Sequence, residues 1–309
     1  MLVVAALGGN ALLQRGEPAD AEHQRRNIER AVLPLAEIAT QHELVVCHGN
    51  GPQVGLLALQ SDAYKLVEPY PLDVLDAESE GMIGYPLEQA LRNALHGRET
   101  AVVLTQVVVS SDDPAMTAPS KPIGPCYDLA GAEWLRLERG WAMAPDGPYW
   151  RRVVASPEPV RIVELTGIEA LLDRGVLVVC AGGGGVPVVE DAHGCLRGLE
   201  AVIDKDRTAA LLASELGADV LLLLTDVPAI ELNWGKPDAR PLADTTPEEL
   251  VSIPLAAGSM RPKAVAAASF VSLTGGRAVI GSLDDAAAML TGHAGTQVHP
   301  SRSPMELSA

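Results

Sequence analysis

Short apolar runs alternate with helix patterns along most of the chain, and this alternation constrains the fold more than any other feature. Parallel strands need long crossover connections, which are usually helices. The alternation therefore predicts an α/β protein with a largely parallel sheet sandwiched by helices. The predicted strands are 2–7, 43–47, 101–109, 176–181, 220–225 and 277–280. The predicted helices are 20–40, 52–65, 76–95, 166–174, 205–217, 260–274 and 283–290.

Local signals refine the helix ends. Asp20 and Asp204 stand where N-caps are expected, and Gly217 and Gly275 stand where helices should terminate. Pro34 falls inside a helix pattern and should kink or interrupt that helix, because proline lacks the backbone N–H group.

Residues 111–160 break the alternation with a stretch rich in proline and glycine, followed by several aromatic residues. This segment predicts a small excursion from the main sheet, either a subdomain or a lid. Residues 188–203 predict a hairpin with its turn near His193 and Gly194. The sheet is expected to divide into an N-terminal half, residues 1–165, and a C-terminal half, residues 166–309, within one domain.

Composition excludes several classes of function. The chain of 309 residues is 48% hydrophobic, which is ample for a large core, and its net charge is −17. A strongly acidic protein is a poor partner for nucleic acid, whose phosphates need a basic face. No apolar run reaches the ~20 residues of a membrane span, and the N-terminus has no basic region before its apolar run. The four cysteines show no paired spacing, so a reducing cytoplasm is expected.

Glycine clusters follow three of the predicted strands, within residues 3–13, 44–55 and 177–189. Ligands of open parallel sheets bind beyond the carboxyl ends of the strands, where glycine lets backbone N–H groups approach an anion. Asn10 and Asn50 can add neutral donors to an oxyanion site. The alternative for each cluster alone is a tight turn that needs a positive φ angle. Neither the Walker phosphate loop nor the dinucleotide motif GxGxxG is present.

Lysine is rare in this chain, with five residues against 18 arginines, yet Lys205 stands between Asp204 and Asp206. Arginine suits bidentate pairing with carboxylates, whereas lysine is a mobile point charge, so Lys205 is predicted to contact a ligand oxygen. Lys121 and Lys263 also lack an obvious partner on a solvated face. Phosphoryl transfer needs cations near the entering and departing oxygens. Asp206 is expected to orient more than one ammonium group, and Lys205, at a helix start, is expected to be a surface residue that contributes little stability.

Other candidate residues have structural alternatives that are at least as strong. His48 can contact a substrate or pack as a neutral core residue. Asp226 can meet a nucleotide or cap its loop, and the pair Asp112 and Asp113, before a proline, is expected to form a turn rather than a metal site. Trp134, Trp141 and Trp150 are expected to pack within the excursion.

Taken together, the motifs resemble those of the carbamate kinases of the amino-acid kinase superfamily over nearly the whole chain. In family order they are ALGGNAL (6–12), HGNGPQVG (48–55), PLD (71–73), GMIGY (81–85), LTQVVV (104–109), PSKPIGP (119–125), WRRVV (150–154), GGGGVPVV (182–189), EAVIDKD (200–206), LTDV (224–227), GKPD (235–238), GSM (258–260) with PK (262–263), and GTQV (295–298). Four of the five lysines lie inside them. One departure is Ser79-Glu80-Gly81 where the family commonly has SQG, and Glu80 would weaken anion binding if it faced the substrate.

The resemblance implies a three-layer α/β/α sandwich with a small protruding subdomain, and a homodimer. It implies reversible phosphoryl transfer between ATP and carbamate with Mg²⁺, commonly run toward ATP. The residues themselves show no clear metal site, and none is predicted, because Mg²⁺ prefers phosphate oxygens and water with few protein carboxylates. Lys121, Lys205 and Lys263 would stabilise phosphoryl charge, with Asp206 organising the lysines. The remaining implied contacts are Gly8, Gly9 and Asn10 to the phosphoryl group, Gly49, Asn50 and Gly51 to carbamate, and Thr225, Asp226, Ser259, Met260, Lys205 and Lys263 to the nucleotide.

Two other functions remain open at this stage. The first is a kinase of the same superfamily that acts on a different small acid. The second is a regulator that binds nucleotide without catalysis, which the three lysines disfavour because a sensor has no use for cations that stabilise a transition state.

Overall fold

The computed structural model describes residues 1–13, 17–18, 20–64, 66–255 and 260–301; the side chain of Asn10 is also outside this description. The strands are β1 (Leu2–Leu7), β2 (Glu43–His48), β3 (Thr100–Val103), β4 (Gln106–Val109), β5 (Lys121–Tyr127), β6 (Met143–Asp146), β7 (Tyr149–Val154), β8 (Pro159–Ile162), β9 (Leu177–Cys180), β10 (Val186–Glu190), β11 (Leu196–Gly198), β12 (Val220–Thr225), β13 (Glu231–Leu232), β14 (Arg240–Pro241), β15 (Asp244–Thr245), β16 (Arg277–Ser282) and β17 (Thr296–Val298). The α-helices are α1 (Gly9–Leu12), α2 (Ala21–Ala39), α3 (Gly51–Ala63), α4 (Leu72–Ala94), α5 (Leu129–Arg139), α6 (Leu165–Leu172), α7 (Lys205–Glu215), α8 (Pro247–Ser252), α9 (Met260–Thr274) and α10 (Ala286–Leu290).

The central sheet has the strand order β15-β17-β16-β12-β1-β2-β9-β3. Its neighbouring strands are parallel except for the antiparallel pair of β16 with β17. Alternate residues of β1 belong to two separate cores, because successive side chains of a strand point to opposite faces. One core includes residues of α6, α7 and α9, and the other includes residues of α2, α4 and α10. The predicted sandwich of helices around a mainly parallel sheet is confirmed.

Two smaller sheets extend this framework. Strands β11, β10, β4 and β8 form a four-stranded sheet, in which β10 and β11 make the hairpin predicted over 188–203. Strands β5, β7 and β6 form a three-stranded sheet that packs with α5 around its own apolar cluster. The three-stranded sheet and α5 lie inside the excursion 111–160, which is therefore a small subdomain. Trp141 and Trp150 pack against its cluster as predicted, whereas Trp134 is exposed.

The single strand predicted over 101–109 is wrong, because the structure divides it into β3 and β4 in different sheets. Thr105 lies between β3 and β4, and its N–H and hydroxyl groups make hydrogen bonds outside the ladder of a strand pair. Its hydroxyl donates to the carbonyl of Val103 and accepts from the N–H of Ala181, while its own N–H donates to Glu80. Side-chain bonds of this kind compete with regular strand pairing.

The sequence predicted that Pro34 would kink or interrupt its helix, but α2 continues through Pro34 without interruption. The buried face of the helix includes Ile28, Val32, Leu35 and Ile38, which pack into the core on both sides of the proline along the chain. This packing maintains the helix despite the hydrogen bond that proline cannot make. Within the described residues, no helix combines the length and apolar content that a membrane crossing requires.

Candidate active site

A cavity of about 1040 Å³ lies beyond the carboxyl ends of β1, β2 and β12. Because β12, β1, β2 and β9 are consecutive parallel strands, the loops that follow them meet at one edge of the sheet. The cavity is lined by most of the residues that the sequence predicted: Gly8, Gly9, Gly49, Asn50, Gly51, Lys121, Lys205, Asp206, Thr225, Asp226, Met260 and Lys263. Ser259 and the side chain of Asn10 lie outside the described parts of the chain.

The glycine loops approach one another too closely for side chains. A Cβ atom on Gly49 would lie 3.1 Å from the backbone nitrogen of Gly9 and 3.4 Å from Cδ of Lys205. A Cβ atom on Gly183 would lie 2.1 Å from Nδ2 of Asn50, and Gly183 also has a φ of +69°. The glycines therefore let the loops after β1, β2 and β9 stack on each other, which brings the Lys205 stem beside the loop at Gly49.

Asp206 holds two of the predicted lysines on its two carboxylate oxygens. Lys205 Nζ donates to Oδ1 at 2.5 Å, and Lys263 Nζ donates to Oδ2 at 2.9 Å. All three residues are buried, each less than a tenth exposed. The expectation that Lys205 is a surface residue is wrong: its stem lies beside the loop at Gly49, and its ammonium group pairs with Asp206, which also binds Lys263 of α9.

Local structure fixes where these charges lie. Asp204 is the N-cap of α7, and its side chain accepts from the backbone N–H groups of Asp206 and Arg207. Lys205 and Asp206 are consequently in the first turn of the helix, at its partially positive end. Lys263 belongs to the first turn described for α9.

The two ammonium groups share one carboxylate unequally. Burial and the nearby charge of Lys263 together lower the pKa of Lys205 to about 8, against the attraction of Asp206. Burial also opposes the charge of Lys263, but contact with Asp206 raises its pKa above the usual value. The two lysines hold the pKa of Asp206 well below its ordinary value, despite burial. Lys205 is therefore the ammonium group that loses its proton first as the pH rises.

Lys121 reaches the same cavity from β5 of the small subdomain and pairs with Asp204. Burial disfavours the charged form of Asp204, but the Lys121 ammonium keeps the pKa of this carboxyl below its usual value. The cavity lining includes four lysines and two arginines against four carboxylates, within a protein whose net charge is −17. The surplus of positive charge favours an anionic ligand such as phosphate.

Asn50 has a role that the sequence did not predict. Its Nδ2 donates to Oδ1 of Asp76 at 2.9 Å and to Oγ of Ser79 at 2.7 Å. Both N–H bonds therefore point away from the cavity, into α4, and the expected donation from this side chain to an oxyanion is not what the structure shows. Asp76 and Ser79 were missed because their only sequence signal was polar residues spaced three apart on a helix.

Other predicted residues have clear positions. His48 is buried, and burial lowers its pKa to about 4, which makes it the neutral packed residue considered above. Glu80 is also buried, and it accepts from the N–H of Thr105 and does not line the cavity. Asp113 caps a short turn as expected. Among the residues predicted to contact the nucleotide, the hydroxyl of Thr225 donates to Oδ1 of Asp226 at 3.1 Å.

Further lining residues were given no role by the sequence, although Lys236 is one of the five lysines and lies in the GKPD motif. Arg151 of β7 lines the cavity and donates two hydrogen bonds to the carbonyl of Gly124. Trp234 and Lys236 also line the cavity, in the loop between β13 and β14. Asp204 was predicted only as a helix cap, and its pairing with Lys121 depends on how the subdomain packs against the main sheet.

A strand-end anion site with paired lysines on an α/β/α sandwich defines a class of phosphoryl-transfer protein. The model of the amino acid kinase family matches residues 1–282, and this chain belongs to that family.

The particular relatives are carbamate kinases. The carbamate kinase of Rhizobium meliloti (strain 1021) is 52% identical over 98% of this chain and 94% of the relative. That of Escherichia coli (strain K12) is 52% identical over 95% of this chain and 98% of the relative. A structure of the carbamate kinase from Giardia lamblia bound to AMP-PNP is 39% identical, with a TM-score of 0.88, and covers 97% of this chain and 98% of that one. The resemblance drawn from the motifs is confirmed, and the chain is a phosphotransferase.

Proposed function

We propose that this chain catalyses reversible phosphoryl transfer between ATP and carbamate, giving ADP and carbamoyl phosphate. The observation that carries the proposal is the bridge from Lys205 through Asp206 to Lys263, beside the stacked loops at Gly9 and Gly49. Relatives about half identical to this chain over nearly all of its length carry the same function. The structural relative from Giardia lamblia bound AMP-PNP, which supports ATP and ADP as the nucleotides.

The chemistry suits a site with cations and backbone donors. A phosphoryl group in transfer spreads negative charge over its three outer oxygens, so catalysis consists mainly of positioning and charge stabilisation. We assign this stabilisation to the ammonium groups of Lys205, Lys263 and Lys121, and to the N–H group of Gly9, because the N–H of Gly8 already donates to the carbonyl of Leu224. Carbamate is already an oxyanion, so its attacking oxygen needs no general base. Asp206 is the residue that keeps two ammonium groups together.

The two sides of the cavity take different parts of the reaction in this proposal. Residues 1–165, with the loops at 8–10 and 49–51 and the subdomain lysine, form the acceptor side. Residues 166–309 form the nucleotide side, with Thr225, Asp226, Ser259, Met260 and Lys263.

Mg²⁺ is expected to accompany the nucleotide and to neutralise charge on its phosphates. Within the described residues, no group of three histidine, cysteine, aspartate or glutamate side chains is placed to hold a metal ion. Mg²⁺ is commonly bound through phosphate oxygens and water with few protein ligands. Phosphate and water would supply most of the ligands, with Asp226 lining the same cavity.

The test is ATP formation from Mg-ADP and carbamoyl phosphate by the purified protein, coupled to a reporter reaction. Turnover that depends on both substrates is expected, and no ATP above background would refute the proposal. A screen of other acyl phosphates separates carbamate from a different small acid. Calorimetric nucleotide binding without any transfer would instead favour a non-catalytic regulator.

We also propose that the protein works in the cytoplasm as a homodimer, mainly toward ATP, as the resemblance implies. Light scattering on the purified protein would show a mass of about twice 32.4 kDa if the homodimer forms. A monomeric mass over the working range of concentration would contradict it.

A further inference from the structure

The side chain of Asn50 is held in one orientation by a network buried behind the cavity. Asn50, Asp76 and Ser79 are each at most 2% exposed. The Asn50 nitrogen uses one hydrogen for Asp76 Oδ1 and the other for Ser79 Oγ. An amide nitrogen has only these two hydrogens, so it has none left for a ligand.

The hydrogen bond of Ser79 favours the present orientation of the amide over the flipped one. Its hydroxyl donates to the backbone carbonyl of Asp76 at 2.8 Å, which uses the single proton of the hydroxyl. The serine oxygen can then only accept from Asn50. If the amide were flipped, the Asn50 oxygen would face an oxygen without a proton, and two acceptors would be in contact. The orientation with Nδ2 inward is therefore the one that satisfies all three hydrogen bonds of this network.

Backbone packing restricts the amide from another side. A Cβ atom on Gly183 would lie 2.1 Å from Nδ2 and 2.7 Å from Oδ1 of Asn50, so the loop after β9 lies directly against the amide. Asn50 lines the cavity between Gly49 and Gly51, which also line it. With both hydrogens committed to α4, the carbonyl oxygen is the one polar group that this side chain can offer to the acceptor.

Carbamate and carbamoyl phosphate both carry an amino group with two N–H donors next to the reacting carboxyl carbon. Acetate and acetyl phosphate have the same shape with a methyl group in that place. We propose that the Asn50 carbonyl oxygen accepts a hydrogen bond from the acceptor's amino group, and that Asp76 and Ser79 are positioning residues that maintain this arrangement. This arrangement would select acceptors that carry an N–H donor beside the carboxylate. The inference rests on the proposed function.

The state of Asp76 suits this role. Burial raises the pKa of Asp76 well above its usual value, against the opposing hydrogen bond from Asn50. Its second oxygen, Oδ2, has no hydrogen-bond partner in the described part of the chain. A neutral carboxyl that carries its proton on Oδ2 still accepts from Asn50 through Oδ1, and it adds no negative charge behind an anion site.

The selectivity ratio tests the proposal. It compares kcat/KM for carbamoyl phosphate with kcat/KM for acetyl phosphate, both with Mg-ADP. Asp76→Ala frees the amide to rotate, so we expect the ratio to fall about tenfold, through slower use of carbamoyl phosphate. Asp76→Asn keeps an acceptor and a donor in the two oxygen positions of the neutral carboxyl and should retain the ratio within about threefold. Glu78→Ala, an exposed carboxylate on the same helix, is the matched control and should leave the ratio unchanged.

Asn50→Ala removes the proposed acceptor itself and should lower the use of carbamoyl phosphate much more than that of acetyl phosphate. It also keeps the proposal testable if Asp76→Ala does not fold, as judged by circular dichroism. An unchanged ratio in Asn50→Ala would overturn the inference, and so would a loss in Asp76→Asn as large as in a folded Asp76→Ala. A wild-type protein that makes no ATP from carbamoyl phosphate would instead refute the proposed function.

Discussion

Replacing Asp206 by asparagine removes the charge that holds two ammonium groups at the base of the cavity. Lys205 and Lys263 contact opposite oxygens of this carboxylate at 2.5 and 2.9 Å. At an effective dielectric constant of about 20, a charge pair separated by ~4 Å contributes about 4 kcal/mol. Asparagine keeps the size of the side chain and removes this attraction for both lysines, which then repel each other without a counter-charge.

The substitution should affect the protonation of Lys205 more than that of Lys263. Burial already lowers the pKa of Lys205 to about 8 in the wild-type chain. Loss of a neighbouring opposite charge commonly moves such a pKa by about one to three pH units, here downward. Lys205 would then be largely neutral near pH 7.5 in the variant, so the stabilisation of phosphoryl charge by that group would be lost.

The assay is the pH profile of kcat/KM for carbamoyl phosphate in the ATP-forming direction. The wild-type profile should fall above a pH of about 8, because free Lys205 must be protonated to act. Asp206→Asn should lower the rate at pH 7.5 by at least about a hundredfold and move the descending limb to lower pH. Asp204→Asn is the comparison variant, since it removes the partner of Lys121 and should leave the Lys205–Lys263 bridge intact. An unmoved limb in Asp206→Asn, with a rate within threefold of wild type, would refute the reasoning.

Three further predictions concern the loops and the buried carboxyl. Gly183→Ala should abolish most activity and lower the free energy of unfolding by about 1–3 kcal/mol, because it combines a positive φ with a clash against Asn50. Gly175→Ala is the control, because Gly175 has a φ of +74° but open space around it, so that variant carries only the backbone strain. Thermal melts of both variants would show the difference. Glu80→Gln should become progressively more stable than wild type as pH rises from 5 to 8. Burial raises the pKa of Glu80, so the stability that its protonated form contributes is lost as the pH rises through that folded value, and a melting-temperature difference independent of pH would contradict this. Lys121→Met should lower kcat while calorimetry shows nearly unchanged ADP binding, and a purely nucleotide-binding defect would contradict its place on the acceptor side.

The arrangement of loops around the cavity was predictable because it follows from strand order. Glycine clusters that end parallel strands must meet at one sheet edge if the strands are neighbours, and β1, β2 and β9 are neighbours. The shortage of lysine likewise singled out Lys205, and the adjacent carboxylate of Asp206 indicated what would hold it. These signals are local in sequence, so they can be recognised without knowledge of the tertiary structure.

What sequence reasoning missed depends on contacts between distant segments. The break between β3 and β4 follows from the contacts of Thr105 with Glu80 and Ala181, which lie 25 and 76 residues away. Lys205 is buried among contacts with the loop at Gly49 and with Asp206, which also binds Lys263 of α9. Its position at a helix start suggested the opposite. The inward orientation of Asn50 required knowing that α4 passes behind the loop after β2. In each case the missing information was a partner that no local pattern identifies.

The central claim is that Lys205 stabilises charge on the migrating phosphoryl group rather than only binding nucleotide. The most direct measurement compares kcat and the calorimetric Kd for ADP in Lys205→Met, which keeps the apolar stem and leaves Asp206 paired with Lys263. We predict a kcat at least about a hundredfold below wild type, with a Kd for ADP within about fivefold. A kcat within tenfold of wild type in a folded variant, or a loss confined to ADP binding, would contradict the account.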